Sequence, residues 1–322
     1  SRRTLLMTAL GNTRLAFIET LIELAEQDPK TVLVCADSVL VVKGKEFARR
    51  FPDRFIDVGI AEQNAVNCAA GLAACGLVPY VATYAGFLTM RACEQVRTFV
   101  AYPGLNVKLI GANGGISAGE REGVTHQFFE DLGILRTIPG ITVVVPADDI
   151  QVRQAARALH KLRGPAYLRI GSGRDPRADC QDIPFELGKI RILAEYGKDV
   201  VLFTNGFVVN RALQAAERLA REGIRAVVAD VHTLKPLDVH GIVSLLKQTG
   251  AAVTVEDHNI IGGLGSAVAE CSAEECPVPV KRVGLPDCYP RSGTPEALLD
   301  YYHIGINDIV EAARAVVRKK KT

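Results

Sequence analysis

Apolar positions along the chain switch between two periods. Leu15 to Ala25 is apolar at helical spacing, Pro29 stops that helix, and Val32 to Ala36 is an unbroken apolar run suited to a strand buried on both faces. The alternation continues with a strand over Phe55–Val58, a helix from Ala61, a strand over Tyr80–Thr83 and a helix near Leu88–Val100. Strands over Val107–Ile110 and Thr142–Val145, a helix over Ile150–Leu162 and a strand over Ala166–Ile170 complete the unit. Gly171 to Lys189 turns to Gly, Pro, Asp and Arg without a period, as a linker does. A second set follows, with strands over Val200–Thr204, Ala226–Ala229, Ala252–Val255 and Val278–Val283 and helices near Arg211–Arg221, Val239–Lys247, Ser266–Ala273 and Ile309–Val317. The pattern predicts an α/β protein of two doubly wound, mainly parallel-sheet domains, residues 1–172 and 190–322 joined by residues 173–189.

In such sheets ligands sit beyond the carboxyl ends of the strands. Gly59–Glu62, Tyr84–Phe87, Gly111–His126 and Gly171–Arg174 all fall there. Glu62 shares a helix face with Ala65, Val66, Ala69, Ala70 and Ala73, a seam small enough to let another backbone come close. An acid in a first turn complements the helix dipole, and that alone would explain it. Burial would instead make it a proton-bearing acid able to donate to a heteroaromatic nitrogen. Tyr84 and Phe87, separated by Ala85 and Gly86, offer two rings as walls of a flat slot, and an acid beside such a slot suits an aminopyrimidine. His126 ends a long glycine-rich loop, the kind of segment that carries function in a compact domain. Gly262–Ser266 has neither the third glycine of a dinucleotide fingerprint nor a P-loop lysine, and reads as close packing at a helix start.

Composition narrows the field. The 322 residues carry 38 basic and 36 acidic side chains, a net charge of +2, which gives no electrostatic case for nucleic acid or a membrane surface. The eight cysteines show no C-x-x-C pair, as expected of reduced, intracellular usage. With no secretory leader pattern and no apolar run of bilayer length, the expected location is the cytoplasm.

The stretches GIAEQNAV, VPYVATYAGF, GVTHQFFEDLGILRTIPGITVVVPADD and GPAYLRIGSG, followed by VVLFTNG and VTVEDHNIIGGLGSAVAE, resemble in order and spacing the pyrimidine-binding and C-terminal parts of transketolases and deoxyxylulose-phosphate synthases. The resemblance covers nearly the whole chain and implies thiamine diphosphate chemistry. Glu62 matches the family glutamate that activates the aminopyrimidine, with Tyr84, Phe87 and Met90 around the ring. His126 matches a substrate-contacting histidine, Glu122 falls where many relatives have an aspartate that reads a donor hydroxyl, and His258 is an interface candidate by family position.

Two departures bear on the substrate. Asn113 stands near a family histidine, and Ser172 where relatives carry a phosphate-binding arginine that Arg174 replaces only if the backbone turns differently. An atypical or branched sugar phosphate is therefore expected as ketose. The G-D-G motif with which the family grips diphosphate and metal occurs nowhere in the sequence. The resemblance thus implies the carboxyl-terminal subunit of a split transketolase, with Mg2+ or Ca2+ held mainly by an amino-terminal partner subunit and the two kinds of chain forming a hetero-oligomer such as a heterotetramer. No metal ligand is expected in this chain. The beta subunit of a 2-oxo acid dehydrogenase shares the two-domain plan, and a non-catalytic scaffold subunit is the remaining alternative.

Overall fold

The computed structural model describes residues 9–117, 123–178 and 183–320. Fourteen strands run in chain order: β1 Leu10–Gly11, β2 Thr31–Cys35, β3 Phe55–Asp57, β4 Val78–Tyr84, β5 Lys108–Ala112, β6 Thr142–Val144, β7 Ala166–Arg169, β8 Asp175–Pro176, β9 Arg191–Glu195, β10 Val200–Thr204, β11 Ala226–Asp230, β12 Thr233–Lys235, β13 Ala252–Asn259 and β14 Val280–Leu285. The larger sheet has the order β12-β6-β7-β5-β4-β2-β3, parallel except for the antiparallel edge strand β12. The second has the order β14-β13-β10-β11-β9, parallel except for β9. Continuous apolar runs became central strands because both faces are covered by helices: every residue of β2, β5, β10 and β11 is buried.

Three features depart from the expected elements. The second sequence unit lends β12 to the first sheet, so the sheets are interlocked across the expected boundary. The stretch expected to be linker contains β8, which pairs antiparallel with β1 and draws the segment after β7 back beside the start of the first helix, Thr13–Gln27. The helix expected over Leu88–Val100 is mostly wide, π-type helix, Phe87–Arg91 and Val96–Ala101, around a short α-helical piece.

The helix Glu62–Ala74 buries Glu62, Ala65, Val66, Ala69 and Ala70. Its alanine face meets Leu88, Ala92, Val96 and Val100 of the wide helix in one apolar cluster. Small side chains on one side and a broadened backbone on the other bring the two segments together, with Gln63 Nε2 donating to the Arg91 carbonyl at 3.1 Å.

Candidate functional site

Glu62 stands at the first position of its helix and is only 2% exposed. The buried acid is not alone. Arg91 donates to Glu62 Oε2 at 2.7 Å, and its guanidinium carbon lies 4.1 Å from the centre of the Phe87 ring. An extra residue in a π-type turn rotates the side chains that follow, and such turns recur at functional sites. Met90, expected beside the pyrimidine, is 44% exposed, and the side chain that reaches Glu62 is Arg91. Nothing in the apolar spacing marked that extra residue.

The two rings expected as walls of a flat slot are in contact with each other. Tyr84 and Phe87 meet edge to face at 71°, their centres 5.6 Å apart. The His126 ring lies 5.0 Å from Tyr84 and 5.4 Å from Phe87, and Phe128 packs 5.1 Å from Phe87. Gly86 makes this possible, since a Cβ there would fall 1.9 Å from Phe128 Cδ1. His126 closes a short 3-10 turn, Val124–His126, and its Nδ1 is 3.0 Å from Thr125 Oγ1. Glu62, Tyr84, Phe87 and His126 thus belong to one cluster linked through Arg91 and the rings.

A second polar group gathers at the ends of β5 and β7. Asn113 is buried, with a left-handed backbone at φ 59 that asparagine tolerates better than most residues. Its Oδ1 accepts from Arg14, whose Nε also donates to the Gly171 carbonyl at 3.0 Å. Arg14 was not legible in the sequence. Its arrival depends on the β1–β8 pairing, reinforced by Thr13, whose hydroxyl donates to buried Asp175 at 2.7 Å and accepts from Gly171 N–H at 3.0 Å. Ser172 is half-buried beside this junction and Arg174 is exposed. The cation brought to Asn113 is therefore Arg14, from the other end of the domain. Glu122 lies outside the described residues.

The second domain packs against the helix Asp131–Thr137 that follows this site. His258 is fully buried: its Nε2 accepts from Gly133 N–H at 3.2 Å, its Nδ1 donates to the Asn259 carbonyl at 2.7 Å, and burial pushes its pKa down to about 4. The expected packing at Gly262–Ser266 has a specific cause. The N–H groups of Leu264 and Gly265 both donate to the Glu256 carboxyl at 2.7 Å, so the chain's own carboxyl occupies that helix start. Burial pushes the Glu256 pKa up to about 7.

A guanidinium is a planar, nitrogen-bearing group, and Arg91 shows that one fits with its carbon over the Phe87 ring and a nitrogen on the buried Glu62. Among the described residues no group of three His, Cys, Asp or Glu side chains could hold a metal ion.

Comparison with known proteins decides the family. Residues 11–173 match the transketolase pyrimidine-binding domain and residues 188–309 the transketolase C-terminal domain. The chain belongs to the transketolase family. It is 42% identical to a 6-deoxy-6-sulfo-D-fructose transketolase subunit of a Clostridium species, over 94% of both chains. It is 38% identical to one of the apulose-4-phosphate transketolase subunits of Phocaeicola vulgatus, over 95% of this chain and 97% of that one. Among solved structures it is similar to a split-gene transketolase described as an inactive beta4 tetramer, with a TM-score of 0.89, 41% identity, and 96% and 99% of the two chains covered. Transketolase-family membership accounts for the two interlocked α/β units and for the sequence motifs that converge on the carboxyl ends of the first sheet. No helix among the described residues of this family member is long and apolar enough to cross a membrane.

Proposed function

We propose that this chain is the pyrimidine-side subunit of a split transketolase, and that it transfers a two-carbon ketol unit from a ketose with an anionic terminus to an aldose only when an amino-terminal partner subunit completes the site. The observation that carries the reading is the buried Glu62 carboxyl joined to the Phe87 ring through Arg91. Glu62, Phe87 and Tyr84 would hold the aminopyrimidine of thiamine diphosphate, while oxygen ligands for Mg2+ or Ca2+ and the diphosphate would come mainly from the partner. When bound, the cofactor would supply the nucleophilic carbon that ketol transfer needs.

Each residue of this chain then has a role. Glu62 exchanges a proton with the pyrimidine nitrogen, and Arg91, which holds that carboxyl in the free chain, moves aside when the ring arrives. His126 and Asn113 contact hydroxyl or carbonyl oxygens of the sugar, and Arg14 sets a fixed positive charge beside Asn113 for a phosphate or sulfonate. Support for an anionic, atypical ketose comes from Arg14 and from relatives whose names include a sulfo-sugar and an apulose phosphate. Support for a hetero-oligomer comes from the similar split-gene transketolase, which is described as an inactive beta4 tetramer.

The test is calorimetric titration with thiamine diphosphate and Mg2+, followed by a ketol-transfer assay, on this chain alone and with an amino-terminal transketolase subunit. Weak binding and no turnover alone, both restored by the partner, are expected. Equal activity of the isolated chain would refute the split-subunit reading, and oxidative decarboxylation of pyruvate by the pair would favour the 2-oxo acid dehydrogenase alternative.

A further inference from the structure

The two described stems of the loop between Asn113 and His126 are held from outside their own domain. Asp257, 2% exposed near the end of β13, accepts from the N–H of Ile116 at 2.8 Å, from the N–H of Ser117 at 3.3 Å and from the Ser117 hydroxyl. Gly115 takes a left-handed backbone at φ +92, and a Cβ there would fall 2.1 Å from Asp257 Oδ2, so the loop lies directly against this carboxyl. The same strand end fixes the loop's return. Arg169, buried and paired with Asp131 at 3.0 Å, donates to the carbonyls of Asp257 and Phe128, each at 2.9 Å. Gly115 N–H donates to the Phe128 carbonyl at 2.7 Å, Asn259 N–H to the Phe129 carbonyl at 2.9 Å, and Gln127 Nε2 to the Arg291 carbonyl at 3.0 Å. Both stems are therefore anchored to the second domain, one just after Asn113 and the other just after His126.

We propose that Asp257 is a positioning residue for the ketose site, and that the C-terminal domain thereby sets the spacing between Asn113 and His126 in addition to any part it has in assembly. A charged acceptor taking two adjacent N–H groups and a hydroxyl fixes backbone in a conformation that the loop's glycines would not hold by themselves. Displacing a substrate-contacting group by about 1 Å can cost about 100-fold in rate, so a brace of this kind acts on catalysis without touching substrate. The inference rests on the reading of His126 as a group that contacts the sugar.

Two variants of the reconstituted enzyme test it. Asp257→Ala removes all three acceptor contacts. Asp257→Asn keeps one oxygen for Ile116 and can turn its amide toward the Ser117 hydroxyl. Amide hydrogen exchange at Ile116 and Ser117, which needs no substrate, is expected to rise by about tenfold or more in Asp257→Ala and a few-fold in Asp257→Asn, with strand amides unchanged. The KM for the ketose donor should rise by about tenfold or more in Asp257→Ala and a few-fold in Asp257→Asn, while deuterium exchange at the thiazolium carbon, which reports Glu62, stays within about twofold of wild type. Unchanged amide exchange would overturn the brace. Loss of thiazolium exchange in parallel with the KM change would make Asp257 merely structural, and an unchanged KM despite a loosened loop would also overturn the proposal. If wild type transfers no ketol unit, the transketolase reading fails, and the amide measurement alone decides whether Asp257 holds the loop.

Discussion

Replacing Arg91 by alanine separates the two things its guanidinium does, holding Glu62 and covering Phe87. Glu62 is 2% exposed and Arg91 46%, so the pair lies between the two limiting cases. Removing one partner of a fully buried pair costs about 3–5 kcal/mol, because a charge is left without compensation. An exposed pair is worth about 0.2–1 kcal/mol. With one partner in the core and the other half in water, Arg91→Ala is expected to destabilise the isolated chain by about 2 kcal/mol. At about 2.1 cal/mol/K per residue, the unfolding entropy of a chain of 322 residues turns this into a Tm about 3 °C lower. The chain has no tryptophan, so far-UV circular dichroism is the suitable probe. The cycle with Glu62→Ala, which removes the acceptor altogether, should give a coupling of about 1 kcal/mol or more, reduced by salt on the exposed side. In the reconstituted complex thiamine diphosphate affinity should hold or improve, since the cofactor no longer has to displace Arg91. A coupling below about 0.5 kcal/mol would refute the ion pair. Affinity at least tenfold weaker would show that Arg91 binds the cofactor and does not merely hold its place.

Three further outcomes follow from other parts of the molecule. Arg14→Ala should raise the KM for a phosphorylated or sulfonated ketose by about 10- to 100-fold, the worth of a charge-assisted contact, and leave an uncharged ketose nearly unaffected; steady-state kinetics on both decides it. Gly86→Ala would drive a Cβ into Phe128 and should cost about 1–3 kcal/mol of stability, read by thermal denaturation. Asp230, fully buried and bonded to Gln151 Nε2 at 2.6 Å, has its pKa pushed up by burial from 3.8 to about 7. Its folded form therefore binds the proton more tightly than the unfolded chain, so its contribution to stability is present below about pH 4 and lost as pH rises to about 7. Asp230→Asn should flatten that part of the stability profile, and an unaltered slope would contradict the assignment.

The sequence exposed most of the fold because its two periods are set by burial. Val32–Val34 had to lie between two layers, and Glu62 had to share a helix face with Ala65, Val66, Ala69 and Ala70. What it hid depends on pairing across long separations or on local backbone adjustment. The short strand β12 left no run long enough to read, and β9, with exposed and half-buried positions along an edge, showed no clean alternation. Arg14 reaches Asn113 only because β1 finds β8 more than 160 positions later. Arg91 reaches Glu62 from the end of a π-type turn, a local adjustment that helical spacing does not register. Asp257 lies two residues beyond the strand expected over Ala252–Val255, and its partners Ile116 and Ser117 are about 140 positions away, a pairing that no local pattern shows.

In the proposed function Glu62 is the group that exchanges a proton with the cofactor. The most direct measurement is deuterium exchange at the thiazolium carbon of thiamine diphosphate in the reconstituted complex, comparing wild type with Glu62→Gln. The amide is nearly the same size and still accepts from Arg91, so assembly should persist while exchange slows by a factor of about 100 to 10,000, the span of a positioned acid-base group. Exchange within a few-fold of wild type, with only the Tm lowered, would show that Glu62 serves the helix and its arginine alone, and would contradict the catalytic assignment.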